Sequence, residues 1–299
     1  MRTRWSKAVL SLVALAVVSA IALGQPDPFR DDFGGGYGRG GYGGYGGRGR
    51  REVRPEYMDR NGVPEWKNDE QFKADVFTFV RIRYNSYGGG RRGGGDWLTD
   101  YPDSDLNFSY RLQELTSLES DPNGKIFEFT DPALLDYPFA YLIEPGNMWL
   151  DENEVVALRK YCLNGGFLMV DDFWGEREWE NFYENIKRVF PAPAQEPTEL
   201  DFKHEIFHCV YDLKAKPQIP SYHAWARSGG RTNERYDAET PHYKAIFDDE
   251  GRMMVIICHN TDVGDGWERE GMDKEYFQLF SEKWSYPLGI NILTYAMTH

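Results

Sequence analysis

Carboxylates, amides and tryptophans recur in this sequence just after its apolar runs. Asp96, Trp97 and Asp100 follow the run from Val76 to Tyr84, and Glu144, Gly146 and Asn147 follow Phe139 to Ile143 (FAYLI). Asp171, Asp172 and Trp174 follow Phe167 to Val170 (FLMV), while His259, Asn260, Asp262 and Trp267 follow the MVIIC run. Tryptophan faces beside carboxylate and amide hydrogen-bonding groups suit a sugar. Oxygen ligands alone suit Ca²⁺ or Mg²⁺. A paired acid and base could serve hydrolysis, given a suitable separation. Asp171-Asp172 has a structural reading as well, in which one carboxylate caps the next helix and its neighbour bonds a loop amide. Trp97 and Trp174, taken singly, read as core or rim residues.

A second constellation is His204-Glu205-Ile206-Phe207-His208. It matches H-E-x-x-H, which on a helix puts two zinc-ligating histidines on one face with a glutamate as general base. Several features oppose that reading. Lys203 is an unusual flank, Asp201-Phe202 is a weak helix start, and no well-spaced third ligand stands out beyond His223 and Glu239. We therefore expect no metal here and no cofactor, with zinc at His204 and His208 as the alternative. The triplets Gly88-Gly89-Gly90 and Gly93-Gly94-Gly95 fit neither phosphate-binding glycine pattern. Arg91 and Arg92 between them could draw an anion, and a lid or spacer is the default reading.

The elements that position these residues follow from periodicity. The runs Val76 to Tyr84, Lys125 to Phe129, FAYLI and FLMV read as strands. Asp151 with Glu154 has capping-box spacing, and Val155, Val156, Leu158, Tyr161 and Cys162 form one broad helix face that ends at Gly165-Gly166. Strand, helix and strand in so short a span imply a βαβ unit. Asp103 or Ser104 is placed to cap a helix carrying Leu106, Tyr110, Leu112 and Leu115. A further helix fits Trp179 to Phe190. Tyr243 to Phe247 and Met253 to Cys258 flank a turn, as a hairpin would. A last helix is expected from about Pro287 to Ala296. The sum is a single three-layer α/β domain over residues 55–299, with its core at about 72–299. It has a mainly parallel sheet flanked by helices and an antiparallel C-terminal addition. In such sheets ligands sit beyond the carboxyl ends of the strands, where the carboxylates fall.

The remaining sequence bears on location and partners. Arg2, Arg4 and Lys7 precede an uncharged run of 16 residues, Ala8 to Leu23, with Ala20-Ile21-Ala22 at cleavage spacing. Residues 1–24 therefore read as a secretory signal peptide, its apolar run short of the roughly 20 residues that span a bilayer. Residues 25–54, rich in glycine, tyrosine and arginine, read as a disordered linker. The expected location is periplasmic or extracellular, with membrane attachment only through an uncleaved N-terminus. Through Arg54, nine Lys and Arg stand against four Asp and Glu, a balance of +5, so the total of −14 leaves −19 on residues 55–299. So acidic a body argues against nucleic acid; its plain reading is solubility, and its sharper one a cation or a neutral polar ligand. The three cysteines, Cys162, Cys209 and Cys258, read as buried thiols acting as small apolar residues, with one bridge plus a free thiol as the alternative.

Several stretches together carry a resemblance: Gly95-Asp96-Trp97, Phe139-Ala140-Tyr141-Leu142, Leu158-Arg159-Lys160-Tyr161, the run GGFLMVDDFWG from Gly165 to Gly175, Ile206-Phe207-His208 and Gly289-Ile290-Asn291. Over about residues 72–299 the chain resembles the bacterial family catalogued as domain of unknown function 4159. Members are similar in fold to the class I glutamine amidotransferases, a flavodoxin-like three-layer arrangement. The resemblance implies no established activity. Class I amidotransferases place a catalytic cysteine at the sharp turn that falls here near Asp172, Phe173 and Trp174. No cysteine is present there, so glutamine hydrolysis by that route is not expected. The expectation is an exported, non-catalytic module that binds a polar small molecule, a glycan, a peptide or a protein partner. The alternatives are an extracytoplasmic hydrolase using Asp171, Asp172 or Glu144, and the zinc peptidase.

Overall fold

The apolar runs pair with one another as the centre of a seven-stranded sheet in the computed structural model. The structure describes residues 60–69, 75–86, 96–191 and 193–299, in two units divided between Pro64 and Glu65. The predicted signal peptide, the linker and the glycine triplets lie outside the described residues. In the first unit, the Arg60 guanidinium donates to the carbonyls of Val63 (3.2 Å) and Pro64 (3.0 Å), closing a turn.

The strands of the second unit are β1 (Val80–Ile82), β2 (Asn85–Ser86), β3 (Lys125–Phe127), β4 (Phe139–Ile143), β5 (Met148–Trp149), β6 (Phe167–Asp171), β7 (Thr198–Glu199), β8 (His242–Phe247) and β9 (Met253–His259). The large sheet has the order β3-β1-β4-β6-β9-β8-β7, and β2 and β5 form a separate antiparallel ribbon. From β3 to β9 the pairing is parallel, whereas β8 runs antiparallel to both β9 and β7. In chain order the parallel strands stand second, first, third, fourth, fifth. The order of these strands reverses between β1 and β4.

The helices are α1 (Asp103–Leu115), α2 (Glu152–Leu163), α3 (Gly175–Val189), α4 (Tyr222–Ser228), α5 (Val263–Glu268) and α6 (Lys274–Tyr276). From α6 the chain passes through a π-helical stretch, Phe277–Ser285, into α7 (Tyr286–Thr298). Alternate residues of β4 point to opposite faces. Phe139, Tyr141 and Ile143 join a core with Phe108, Leu112, Val263, Trp267, Ile290 and Leu293 from α1, α5 and α7. Ala140 and Leu142 join a second core with Leu158, Phe182 and Ile186 from α2 and α3. Two cores on two faces make three layers, and they explain why the central strands read as unbroken apolar runs. Among the described residues no helix is long and apolar enough to cross a membrane.

Several boundaries differ from expectation for identifiable reasons. Only Val80–Ile82 of the first run pairs as a strand, with Phe77 bridging to Ser120. Asp103 and Ser104 lie inside α1, whose N-cap is Pro102 with no side-chain cap, because Ser104 and Asp105 serve Arg81 instead. Helix α3 starts at Gly175, four residues before Trp179. Its free amides are met by remote groups: Gly175 N donates to Asn260 Oδ1 (2.8 Å) and Glu176 N to Asp237 Oδ2 (3.1 Å). The capping box of α2 forms as spaced, with Glu154 N to Asp151 Oδ1 at 2.9 Å and Asp151 N to Glu154 Oε2 at 2.8 Å. Cys162 and Cys258 are buried, but Cys209 is exposed, contrary to the expectation of three buried thiols; all three are free.

Candidate functional site

The site begins with a buried arginine. Arg81, in the middle of β1, is wholly enclosed. Its Nε donates to Asp105 Oδ2 (2.9 Å), Nη2 to Ser104 Oγ (2.9 Å), and Nη1 to the carbonyls of Trp97 and Thr99 (both 2.9 Å). These bonds gather residues 97–105 over the carboxyl end of β1 and hold Asp100 in place.

Asp171 ends β6. Tyr141 Oη, from β4, donates to its Oδ2 at 2.9 Å. The first amides of α5 complete the set, Gly264 N to Oδ2 (2.9 Å) and Val263 N to Oδ1 (3.2 Å). The carboxylate therefore pins the N-terminus of α5, where the helix field favours negative charge. Burial pushes its pKa up to about 7, against the downward pull of those bonds. Asp172 follows, with Oδ1 accepting from Trp174 Nε1 at 2.9 Å. Burial first, then the charges of Glu144 and Glu234, hold its carboxyl well above the usual range.

Helix α5 supplies the rest. Asp262 caps it, accepting from Asp265 N at 2.7 Å, and burial followed by the Asp172 and Asp100 charges raises its pKa. Asp265 Oδ2 accepts from Tyr222 N (2.7 Å) and Tyr276 Oη (3.0 Å), and its Oδ1 lies 3.4 Å from Arg269 Nε. Glu268 is pushed up to about 8, chiefly by burial. Asp100 is raised well above the usual range by burial and then by Glu268 and Asp265. One oxygen from each of Asp100, Asp262 and Asp265 lies within 4.8 Å of the others.

Among the described non-glycine residues, left-handed backbone occurs at Asn61, Asp100, Glu144, Asp172 and Asn260. The last four all lie on segments that leave the carboxyl ends of parallel strands. Such conformations cost of order 1–3 kcal/mol each and concentrate at functional sites.

Of the residues expected at the crevice, Asp100, Asp171, Asp172 and Asp262 converge. Glu144 joins them through its charge on Asp172 and through Oε1, which accepts from Thr99 Oγ1 at 3.1 Å. The others have local roles. Trp267 is core, its ring packed among Phe79, Phe108 and Tyr141. Trp174 is buried on Asp172. His259 packs against Phe173 and Trp179, and burial lowers its pKa to about 4. Asn260 joins Gly175 to the Thr240 carbonyl. Asn147 Oδ1 takes a long bond from Arg177 Nη1 (3.4 Å), Asp96 closes a turn onto Leu98 N (2.9 Å), and Trp97 contributes its carbonyl to Arg81.

Asp265, Glu268, Arg81 and Tyr141 were not anticipated. A signal existed for two of them: Asp262, Asp265 and Glu268 recur every third residue and so share one side of a short helix.

The histidine motif takes another shape. Glu205–Phe207 is a single 3₁₀ turn with His204 as its cap, and His204 Nδ1 accepts from Ile206 N at 3.2 Å. His208 is 2.7 Å from Asp212 Oδ1 and 2.8 Å from the Phe202 carbonyl, and Glu205 pairs with His299 at 3.0 Å. The α-helix that would align both histidines on a zinc ion is absent. Among the described residues, the grouping of three or more potential ligand side chains is instead Asp100, Asp262 and Asp265.

No curated protein matches the chain. The model of a family described as Domain of unknown function (DUF4159) matches residues 78–297, and with that span covering most of its length the chain belongs to this family.

Proposed function

We propose that the protein is an exported, non-catalytic binding module that takes a polar ligand, a carbohydrate or a peptide, in the crevice at the carboxyl ends of β1, β4, β6 and β9. The observation that carries this reading is the convergence of Asp100, Asp171, Asp172 and Asp262 from three separate segments beside the β1/β4 reversal. Carboxylates accept hydrogen bonds from hydroxyl, ammonium and guanidinium groups. With Trp174 and Trp267 buried, recognition rests on those bonds more than on ring stacking. Both oxygens of Asp171 are engaged by Tyr141, Val263 and Gly264, which suits a structural anchor better than a proton shuttle. At superfamily level we group the domain with the class I glutamine amidotransferases. The strand order and the left-handed turn at Asp172 support this grouping, in which the turn that carries cysteine in those enzymes would fall near Asp172, Phe173 and Trp174. Residues 1–24 as a signal peptide and 25–54 as a linker would deliver the domain outside the cytoplasm.

A hydrolase is the second reading. Raised carboxyl pKa values at Asp172 and Asp262 are the kind of perturbation acid–base catalysis uses. One screen separates the two readings: glycans and peptides tested for binding and for turnover with wild type and Asp172→Asn. The module predicts saturable binding, weakened about ten-fold in the variant (~1.4 kcal/mol), with no product from either protein. Product formed by wild type and lost in the variant selects the hydrolase. If nothing binds, both readings fall.

A further inference from the structure

The carboxylates gathered at the strand ends are closed to solvent. Asp171 is wholly buried, and Asp172 and Asp262 keep only 7% and 2% of their surface exposed. A ligand reaches them only if whatever covers the crevice moves. The cover is the stretch of residues 229–241, between α4 and β8. It crosses the segments that leave β6 and β9. Ser221 N, just before α4, donates to Glu234 Oε1 at 2.6 Å, and Thr232 Oγ1 donates to Gln218 Oε1 at 2.8 Å. Arg235 pairs with Glu178 on the first turn of α3, where Glu176 N also donates to Asp237 Oδ2 at 3.1 Å. Gln218 Nε2 and Asn260 Nδ2 donate to the carbonyls of Ala238 (2.8 Å) and Thr240 (2.9 Å).

This stretch is latched by polar contacts alone. None of residues 229–241 joins either apolar core, and its one aromatic side chain, Tyr236, is 92% exposed. Segments with few buried apolar contacts open at low free energy. Closure also leaves two interactions uncompensated. Asp237 Oδ1 is buried yet meets no hydrogen-bond donor among the described residues, which is costly. Glu234 brings a like charge to the crevice. Burial first, and then the Asp265 charge, push its carboxyl up, and it adds in turn to the charges on Asp172 after burial and Glu144. A hinge stands at the α4 end. Gly229 and Gly230 are both left-handed, with φ of 73° and 95°, and a Cβ at Gly229 would meet no atom within 4 Å, so conformation rather than space calls for glycine there.

We propose that residues 229–241 are a lid, closed in this structure, that swings open as one piece about Gly229-Gly230 to admit the crevice ligand. The ligand is that of the binding-module reading, on which the lid's purpose rests. Arg235 on the buried carboxylate of Glu178 and Thr232 on Gln218 are latches at different points of the lid. A ligand whose hydrogen-bond donors lie between Glu234 and Asp172 offsets their like charges. It therefore binds the closed form better than the open one and holds the lid shut, as any ligand with such a difference in affinity must. Lids of this kind sequester what they cover from water.

Amide hydrogen exchange into D₂O, followed by NMR on the full chain and corrected for intrinsic rates, tests the lid without a ligand. The Ser221 and Glu176 amides both donate to lid carboxylates, Glu234 and Asp237, from separate elements. In the wild type they should exchange within about three-fold of one another, and at least about ten-fold faster than the amides of β9. Arg235→Gln and Thr232→Val each remove a latch that bonds neither amide, so each should speed both amides by about two- to five-fold. Exchange as slow as that of β9 overturns the lid. So does a purely local effect, in which Arg235→Gln speeds Glu176 alone and Thr232→Val speeds Ser221 alone. A glycan or peptide that binds should slow both amides together. Binding with the two amides locked throughout overturns the lid and leaves the binding-module reading standing. Joint opening with no glycan or peptide bound leaves the moving segment and removes that reading.

Discussion

At the scale of single residues, Arg81 does the most to shape the site. It converts a strand position, normally apolar in a two-faced parallel sheet, into a fork that grips Asp105, Ser104 and two carbonyls. Removing one partner of a buried ion pair leaves the other charge uncompensated. Arg81→Ala should therefore destabilise the fold by about 3–5 kcal/mol in urea denaturation. Arg81→Lys should recover only part of this, because a point charge cannot reproduce the fork. A loss below about 1 kcal/mol for Arg81→Ala would show that the grip is dispensable. None of this was legible in the sequence. Arg81 sits in an alternating strand pattern, and its partner Asp105 lies 24 residues further on, inside a helix. Of the tryptophans, Trp174 is buried as read, whereas Trp267 misled in the opposite sense. Trp267 follows a strand end as a ligand platform would, yet α5 turns its ring into the core.

Among the elements, α5 is the one whose placement decides the geometry of the carboxylates. Its first turn is held by Asp171 through two amides and capped by its own Asp262. Gly264 is what permits that approach. A Cβ there would lie 2.5 Å from Tyr141 Oη and 3.0 Å from Asp100 Oδ2. Gly264→Ala should cost about 1–3 kcal/mol and push Tyr141 away from Asp171. Thermal unfolding would show the loss, and the Tyr141→Phe/Gly264→Ala double variant should then be less impaired than the two single losses added together; simple additivity would contradict the contact. How far each helix could be read depends on where its caps come from. Helix α2 is capped by Asp151 and Glu154, three residues apart, so its start was visible in one dimension. Helix α3 takes its caps from Asn260 and Asp237, and its first turn, Gly175 to Glu178, lacked the Ser, Thr, Asp or Asn cap that marks a helix start in sequence.

For the molecule as a whole, the three-layer α/β plan was legible because strands apolar on both faces leave long uninterrupted runs. The gathering of Asp100, Asp171, Asp172 and Asp262 was legible because each follows a strand end on the same edge of the sheet. The electrostatic consequence emerges only from the assembled structure. Asp171 titrates in the fold at about 7 and Glu268 at about 8, above their ordinary values near 4. Across that window the folded state keeps protons the unfolded chain has released, so stability falls as pH rises. His259 acts oppositely. Held neutral down to about 4, it removes stability as pH falls from its ordinary value near 6.5. From about pH 7 to 8, above the range where His259, His204 and His223 titrate in the unfolded chain, the carboxyl groups dominate, so Tm should decline there, as calorimetry would register. A flat or rising Tm over that interval would contradict the raised carboxyl values.

The margins of the sheet have their own consequence. It ends on one side at β3, three residues long, and on the other at β7, only two, where Glu199 is engaged by Lys216 and His242. Edges this short and this charged offer little backbone for another strand to join. A peptide or a second copy of the chain has no ready ladder to extend, so capture by strand addition is disfavoured. Among the described residues, the large sheet thus resists the edge-to-edge stacking that turns open sheets into aggregates.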